Sequence, residues 1–190
     1  MWIKKREKPS KFITITFVIF LVWSLLQILS PLLLPPNSIQ DLSGKTMIVD
    51  NQKTMDRIPF PLNQVYDIGD RLCHQRADRS FFINGNQMPF CSRCTAIWIG
   101  LVIGLLILSF FKVPLDERFL LILILSLIPM GIDGTGQLLG FWESTNLLRV
   151  ITGLITGIIC GMAVGILIDE IGILIKTKKV NNGNYLPFKR

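Results

Sequence analysis

The chain has 190 residues, half of them apolar and only 17% charged, with a net charge of +7. This balance excludes an ordinary soluble domain, because the apolar residues collect into runs that approach or reach the length needed to cross roughly 30 Å of hydrocarbon. It also excludes a nucleic-acid partner: the basic residues flank those runs instead of forming a folded basic face with aromatic platforms.

Residues 1–11 form a basic tail carrying Lys4, Lys5, Arg6, Lys8 and Lys11. The first span, residues 12–34, is closed by Pro35-Pro36, which cannot continue a helix. Its length and the lack of a small-residue cleavage site predict an uncleaved anchor. Residues 35–94 form one long segment outside the membrane, in which Asn37 to Pro59 read as loop. Ser80–Ile83, Asn84-Gly85 and Asn86–Phe90 then read as a β-hairpin, since Asn-Gly tolerates positive φ at both turn positions.

The second span covers residues 95–111. The third, 119–139, is interrupted by Pro129, Gly131, Asp133, Gly134 and Gly136, and a kinked or re-entrant second half is expected. The fourth covers 147–175 and leads into a second basic tail, 176–190. Lys112 and Arg118 join the two tails on one side if there are four spans, and that side should be the cytoplasm. The predicted fold is an all-α membrane protein with four transmembrane helices and a small external β-hairpin metal-binding subdomain between the first and second.

Three of the four cysteines and the sole histidine fall in the external segment. Cys73, His74, Cys91 and Cys94 form a ligand set suited to zinc, a borderline-soft ion that favours thiolate and imidazole, and the hairpin turn should bring both halves together. Adjacent residues seldom aim at one ion, so either Cys73 or His74 is expected to drop out, with water or Asp70 as the fourth ligand. An open position would make the metal catalytic, a filled one structural. The rival reading is thiol-disulfide chemistry at a Cys-x-x-Cys on a helix amino end. Cys160, alone in the fourth span, reads as an inert core residue.

A second constellation lies at the same end of the spans. Pro129, Asp133 and Gln137 share a helical face, as do Thr145, Arg149, Gly153, Gly157, Gly161 and Gly165. The glycines form a groove for a close-packed helix, within the chain against Gly100 and Gly104 or between copies as a homo-oligomer seam. Ionisable groups at membrane depth need partners, which points to an Asp133–Arg149 pair beside Glu143, Asn146 and Thr152.

The strings Cys73-His74-Gln75, Arg79-Ser80-Phe81, Pro89 through Thr95 and Asp133-Gly134 through Gln137, followed by Ser144, Asn146, Arg149, Thr152 and Gly153, resemble the membrane family called domain of unknown function 2085. The likeness covers about Tyr66 to Gly165 and departs from the family pattern at Ala96 and Trp98, where glycine and tyrosine are usual. It implies a small polytopic protein of bacteria or archaea and transfers no activity. From the residues, the first functional reading is a metal-dependent enzyme acting on membrane lipid. Zinc would polarise a carbonyl or activate water, Asp133 or Glu143 would handle protons, and Arg149 would hold an anionic group such as a lipid phosphate. The second is a non-catalytic membrane module, such as a small-solute or metal transporter component, in which zinc only staples the loop.

Overall fold

The computed structural model describes residues 3–7 and 10–183, with side chains described as far as Ile175. Lys8 and the side chains of the basic tail at 176–190 lie outside the described residues. The elements in chain order are β1 (Lys4–Lys5), α1 (Lys11–Leu33), α2 (Gln52–Met55), α3 (Leu62–Leu72), β2 (Ser80–Ile83), β3 (Asn86–Cys91), α4 (Ser92–Phe110), β4 (Phe111–Lys112), α5 (Glu117–Leu138) and α6 (Asn146–Gly183). Among the described residues four helices are long and apolar enough to cross a membrane: α1, α4, α5 and the Asn146–Ile175 part of α6. The outward faces of α1 and α5 are almost continuously apolar and exposed, as lipid-facing surfaces must be.

At one end β1 pairs antiparallel with β4, placing Lys4 opposite Lys112. Arg6 of the same segment forms an ion pair with Asp169 on α6. The amino-terminal segment, the α4–α5 connection and the distal part of α6 are therefore gathered at a single basic end, the side-by-side arrangement that the charge pattern predicts.

Glycine determines how α4 meets α6. A Cβ on Gly157 would lie 2.4 Å from the Ile97 carbonyl, one on Gly161 2.4 Å from that of Leu101, and one on Gly104 2.2 Å from that of Ile158. These neighbours are backbone and cannot yield. The groove of Gly153, Gly157, Gly161 and Gly165 is thus filled by α4 of the same chain, the within-chain packing that the glycine spacing allows. Gly157→Val should cost at least about 3 kcal/mol of helix-packing stability, since overpacking against backbone has no side chain to relieve it. Gly131→Ala should be neutral or stabilising, because nothing lies within 4 Å of its missing Cβ. Denaturant titration of both variants in detergent checks the contrast.

Helix α5 continues from Glu117 to Leu138 through Pro129 and three glycines as a single helix. A proline is tolerated in a transmembrane helix packed against neighbours, and α6 is tied to α5 one turn before Pro129 by the Thr156 hydroxyl, which donates to Ser126 O at 2.9 Å. Helix α5 stops instead at Gly140, whose φ of +78° lets Phe141 N–H return to Gly136 O at 2.9 Å. That turn lays the Trp142 ring over the bare face of Gly136.

The cap between α1 and α4 holds more order than the sequence suggested. The Asn37–Pro59 stretch contains the short helix α2, and α3 follows, with Leu62, Val65, Tyr66, Gly69 and Asp70 buried on one face. The hairpin is as predicted, with Asn84 and Gly85 both at positive φ. Its polar residues hold the cap to the first span. The Asn86 amide donates to Pro31 O and Pro35 O, both at 2.9 Å, and accepts from Ser38 N–H and Ile39 N–H. Carbonyls left open where the prolines end α1 thus find donors in the hairpin.

Candidate metal centre and the arginine layer beside it

Helix α3 reaches β3 through Gly69, where any Cβ would fall 2.1 Å from Pro89 O. The buried Gln75 amide donates to that same carbonyl at 2.7 Å. Close approach at Gly69 places Cys73, which leaves α3 in extended conformation, against Cys91 at the end of β3. The Cys91 N–H donates to Cys73 Sγ at 3.4 Å. Phe90, Trp23 and Ile68 wall the pair off from solvent.

The ligand atoms of Cys73, His74 and Cys91 all lie within 4.8 Å of one another. Both adjacent residues reach the cluster, contrary to the expectation that one would drop out. Cys94, one turn into α4, interacts through its thiol with Cys73 and Cys91. Asp70, weighed as a fourth ligand, is turned away: it is buried and accepts from Asn51 N–H at 3.1 Å and Asn51 Nδ2 at 2.8 Å. The donors that lie together are therefore two sulfurs and an imidazole, with the Cys94 sulfur beside them.

The thiols share their protons unevenly. Hydrogen bonds from the Cys73 and Cys94 thiols, with a further one from His74, hold Cys91 far below the ordinary thiol range. Cys73, whose proton is held by its hydrogen bond to Cys91, is pushed up to about 11. Thiols that hydrogen-bond one another inside an apolar wall are the metal-free counterpart of a thiolate metal site, in which an ion takes the place of their protons. His74 Nδ1 accepts from Arg76 N–H at 3.0 Å, which fixes the ring over the cluster. The residues fit a thiophilic divalent ion such as zinc.

A layer of arginines adjoins this cluster. Asp133 on α5 pairs with Arg93 of α4 and not with Arg149 as the sequence suggested, because Arg93 lies between the two cysteines that start α4 and faces α5. Ser144 Oγ donates to the same carboxylate at 2.8 Å. Arg149, only 5% exposed in the first turn of α6, donates to Asn146 Oδ1 at 2.8 Å. With its amide oxygen facing the two guanidinium groups, Gln137 accepts from Arg149 at 3.0 Å and Arg79 at 2.8 Å. Ser92 Oγ donates to Asn146 at 2.9 Å, which joins the Cys-x-x-Cys turn to the arginine layer directly.

Glu143 stays outside this arrangement: it is exposed in the α5–α6 connection, where its charge is felt by Arg76. Sequence reasoning missed Arg79 and Arg93. Arg93 offered a signal, a cation between Cys91 and Cys94 at the head of an apolar helix.

A four-helix bundle whose cap carries a buried Cys/His cluster above a polar layer defines a multi-pass membrane protein with a candidate metal centre. The chain belongs to the family described as "Predicted membrane protein (DUF2085)", which matches residues 73–180 and so includes the whole cluster. It is 46% identical over 97 residues to an uncharacterised protein of Methanocaldococcus jannaschii, a match spanning 48% of this chain and 60% of that one. It is 41% identical over 83 residues to an uncharacterised protein of Methanothermobacter thermautotrophicus, spanning 44% of this chain and 75% of that one. No solved structure matches the chain significantly.

Proposed function

We propose that the protein is a non-catalytic module of the cell membrane, both termini cytoplasmic, in which Cys73, His74, Cys91 and Cys94 bind a structural zinc ion that staples the extracytoplasmic cap onto the spans. The carrying observation is the close approach of Cys73, His74 and Cys91, with Cys94 beside them. Four protein donors close a tetrahedral site, whereas a catalytic zinc keeps a position open for water or substrate. Of the groups the enzyme reading assigns to proton transfer, Asp133 is paired with Arg93 and Ser144 and Glu143 is exposed, while Asp70, the alternative fourth ligand, is bonded to Asn51.

The structural reading predicts one zinc per chain in protein purified without chelator, and none in a Cys91→Ser, Cys94→Ser double variant. Elemental analysis of both decides it. Stoichiometric zinc retained in the double variant would overturn the ligand set, and a Cys73–Cys91 disulfide found by mass spectrometry in the metal-free protein as isolated would favour thiol-disulfide chemistry instead.

The orientation rests on Lys4, Lys5, Arg6, Lys112 and Arg118 flanking the spans at one end. A cysteine placed at residue 53, exposed on α2 of the cap, should react with a membrane-impermeant maleimide in intact cells. Labelling only after lysis would reverse the topology.

A further inference from the structure

We propose that Arg79, Arg149 and Gln137, backed by Arg93, form a binding site for a phosphate oxyanion at the cap end of the spans, independent of the metal reading. The observation that requires explanation is Arg149. It is 5% exposed, yet among the described residues it has no ion-pair partner, and its hydrogen bonds go to the neutral oxygens of Asn146 and Gln137. A buried cation without a counter-ion is costly and is normally paired. Its charged neighbours are two further cations, Arg79 and Arg93, which outweigh the carboxylates of Asp133 and Asp78.

The local charge does not balance. Asp133 is committed to Arg93, and Asp78 is shared between Arg76 at 3.0 Å and Arg79 at 3.5 Å. Four guanidinium groups therefore face three carboxylates, counting Glu143 exposed beside Arg76, and the guanidinium left without an ion pair is that of Arg149. The helices add to the excess. Arg93 lies in the first turn of α4 and Arg149 in that of α6, neither of which carries an acidic residue, so both positive helix ends support cations where an anion would be favoured.

Geometry favours a branched oxyanion. The Arg79 and Arg149 guanidinium groups converge on one amide oxygen of Gln137, at 2.8 and 3.0 Å, and each still has donors to spare. Two forks pointing at a common point match a tetrahedral phosphate, which accepts from several donors at once. The site lies where helix ends meet the headgroup layer, next to Trp142 and Phe141, both exposed as interfacial aromatics are. A lipid phosphodiester and a free phosphate share the required chemistry.

The test uses the full chain in maltoside detergent, which carries no phosphate. It is titrated by calorimetry with inorganic phosphate in one arm and with dioleoylphosphatidylglycerol in mixed micelles in another. Dioleoylglycerol, which lacks the phosphate, is the control. Saturable binding in either phosphate arm, absent in the control and weakened on the order of tenfold by Arg79→Gln and by Arg149→Gln, is the expected result. The arm that binds identifies the source. Arg79 is partly exposed, so its variant tests the site even if Arg149→Gln fails to fold. Arg71→Gln, at an exposed pair on α3, should bind like wild type. Equal binding of the phosphate-free control, unchanged affinity in Arg79→Gln, or no binding in either arm would show that the arginines only hold the helices together.

Discussion

With a structural zinc at the cluster, Cys91→Ser should abolish its binding and loosen the junction between the cap and α4, lowering stability by at least about 3 kcal/mol. That is a small part of the roughly 10–16 kcal/mol that zinc supplies to small metal-dependent peptides, because here part of the cap has its own support. Leu42, Met55, Ile58, Leu62 and Tyr66 form a separate small core, and Asn86 ties the hairpin to α1. The loss should therefore be concentrated at the junction between Cys73 and α4. Limited proteolysis of detergent-purified protein reads it directly, as faster cleavage in residues 67–80. A chelator should bring wild type to the rate of the variant and leave the variant unchanged, while Cys160→Ser should behave as wild type. If chelation leaves wild-type cleavage untouched, the ion does not support the cap.

What the sequence made legible was whatever a short local rule decides. The Asn84-Gly85 turn was readable because few pairs accept positive φ twice, and the hairpin ends followed from it. The four spans were readable because hydrocarbon thickness sets their length. Helix α3 was not, although its buried residues recur with helical spacing, because two of the inward positions are Gly69 and Asp70 and neither registers as apolar. Gly69 is there so that backbone can touch backbone, and Asp70 because it bonds Asn51 within the fold. The continuity of α5 was not legible for a related reason: proline and glycine disrupt an isolated helix, but α6 packs beside this one and Thr156 ties the two together at Ser126 O.

The cysteine cluster was legible as a set, since the hairpin could bring its two halves together and no other histidine competes. Pairing within the arginine layer was not. Sequence places Arg93, Asp133 and Arg149 near the same ends of three spans, but which of two arginines meets the aspartate depends on helix rotation, and that is set by the glycine contacts between α4 and α6.

The corrected pair changes what charge removal should do. Asp133→Asn leaves Arg93 without its carboxylate beside Arg149 and Arg79, so like charges repel where the local dielectric is low. The expected cost is on the order of 3 to 5 kcal/mol, as for breaking other buried pairs by removing one partner. Arg93→Gln should cost less, because Asp133 keeps Ser144 as a donor at 2.8 Å and Trp142 Nε1 at 3.5 Å, and because a positive charge leaves a crowded layer. The double variant should recover much of the loss from Asp133→Asn, giving a coupling energy of roughly 2 kcal/mol in a double-mutant cycle of unfolding in detergent. Arg149→Gln combined with Asp133→Asn gives the decisive contrast. If Asp133 were partnered by Arg149, as helix positions alone suggest, that combination would show the larger coupling; with Arg93 as partner, it should recover only the smaller share due to relieved repulsion. Equal coupling in the two cycles would mean that Asp133 answers to the charge of the whole layer and not to one guanidinium.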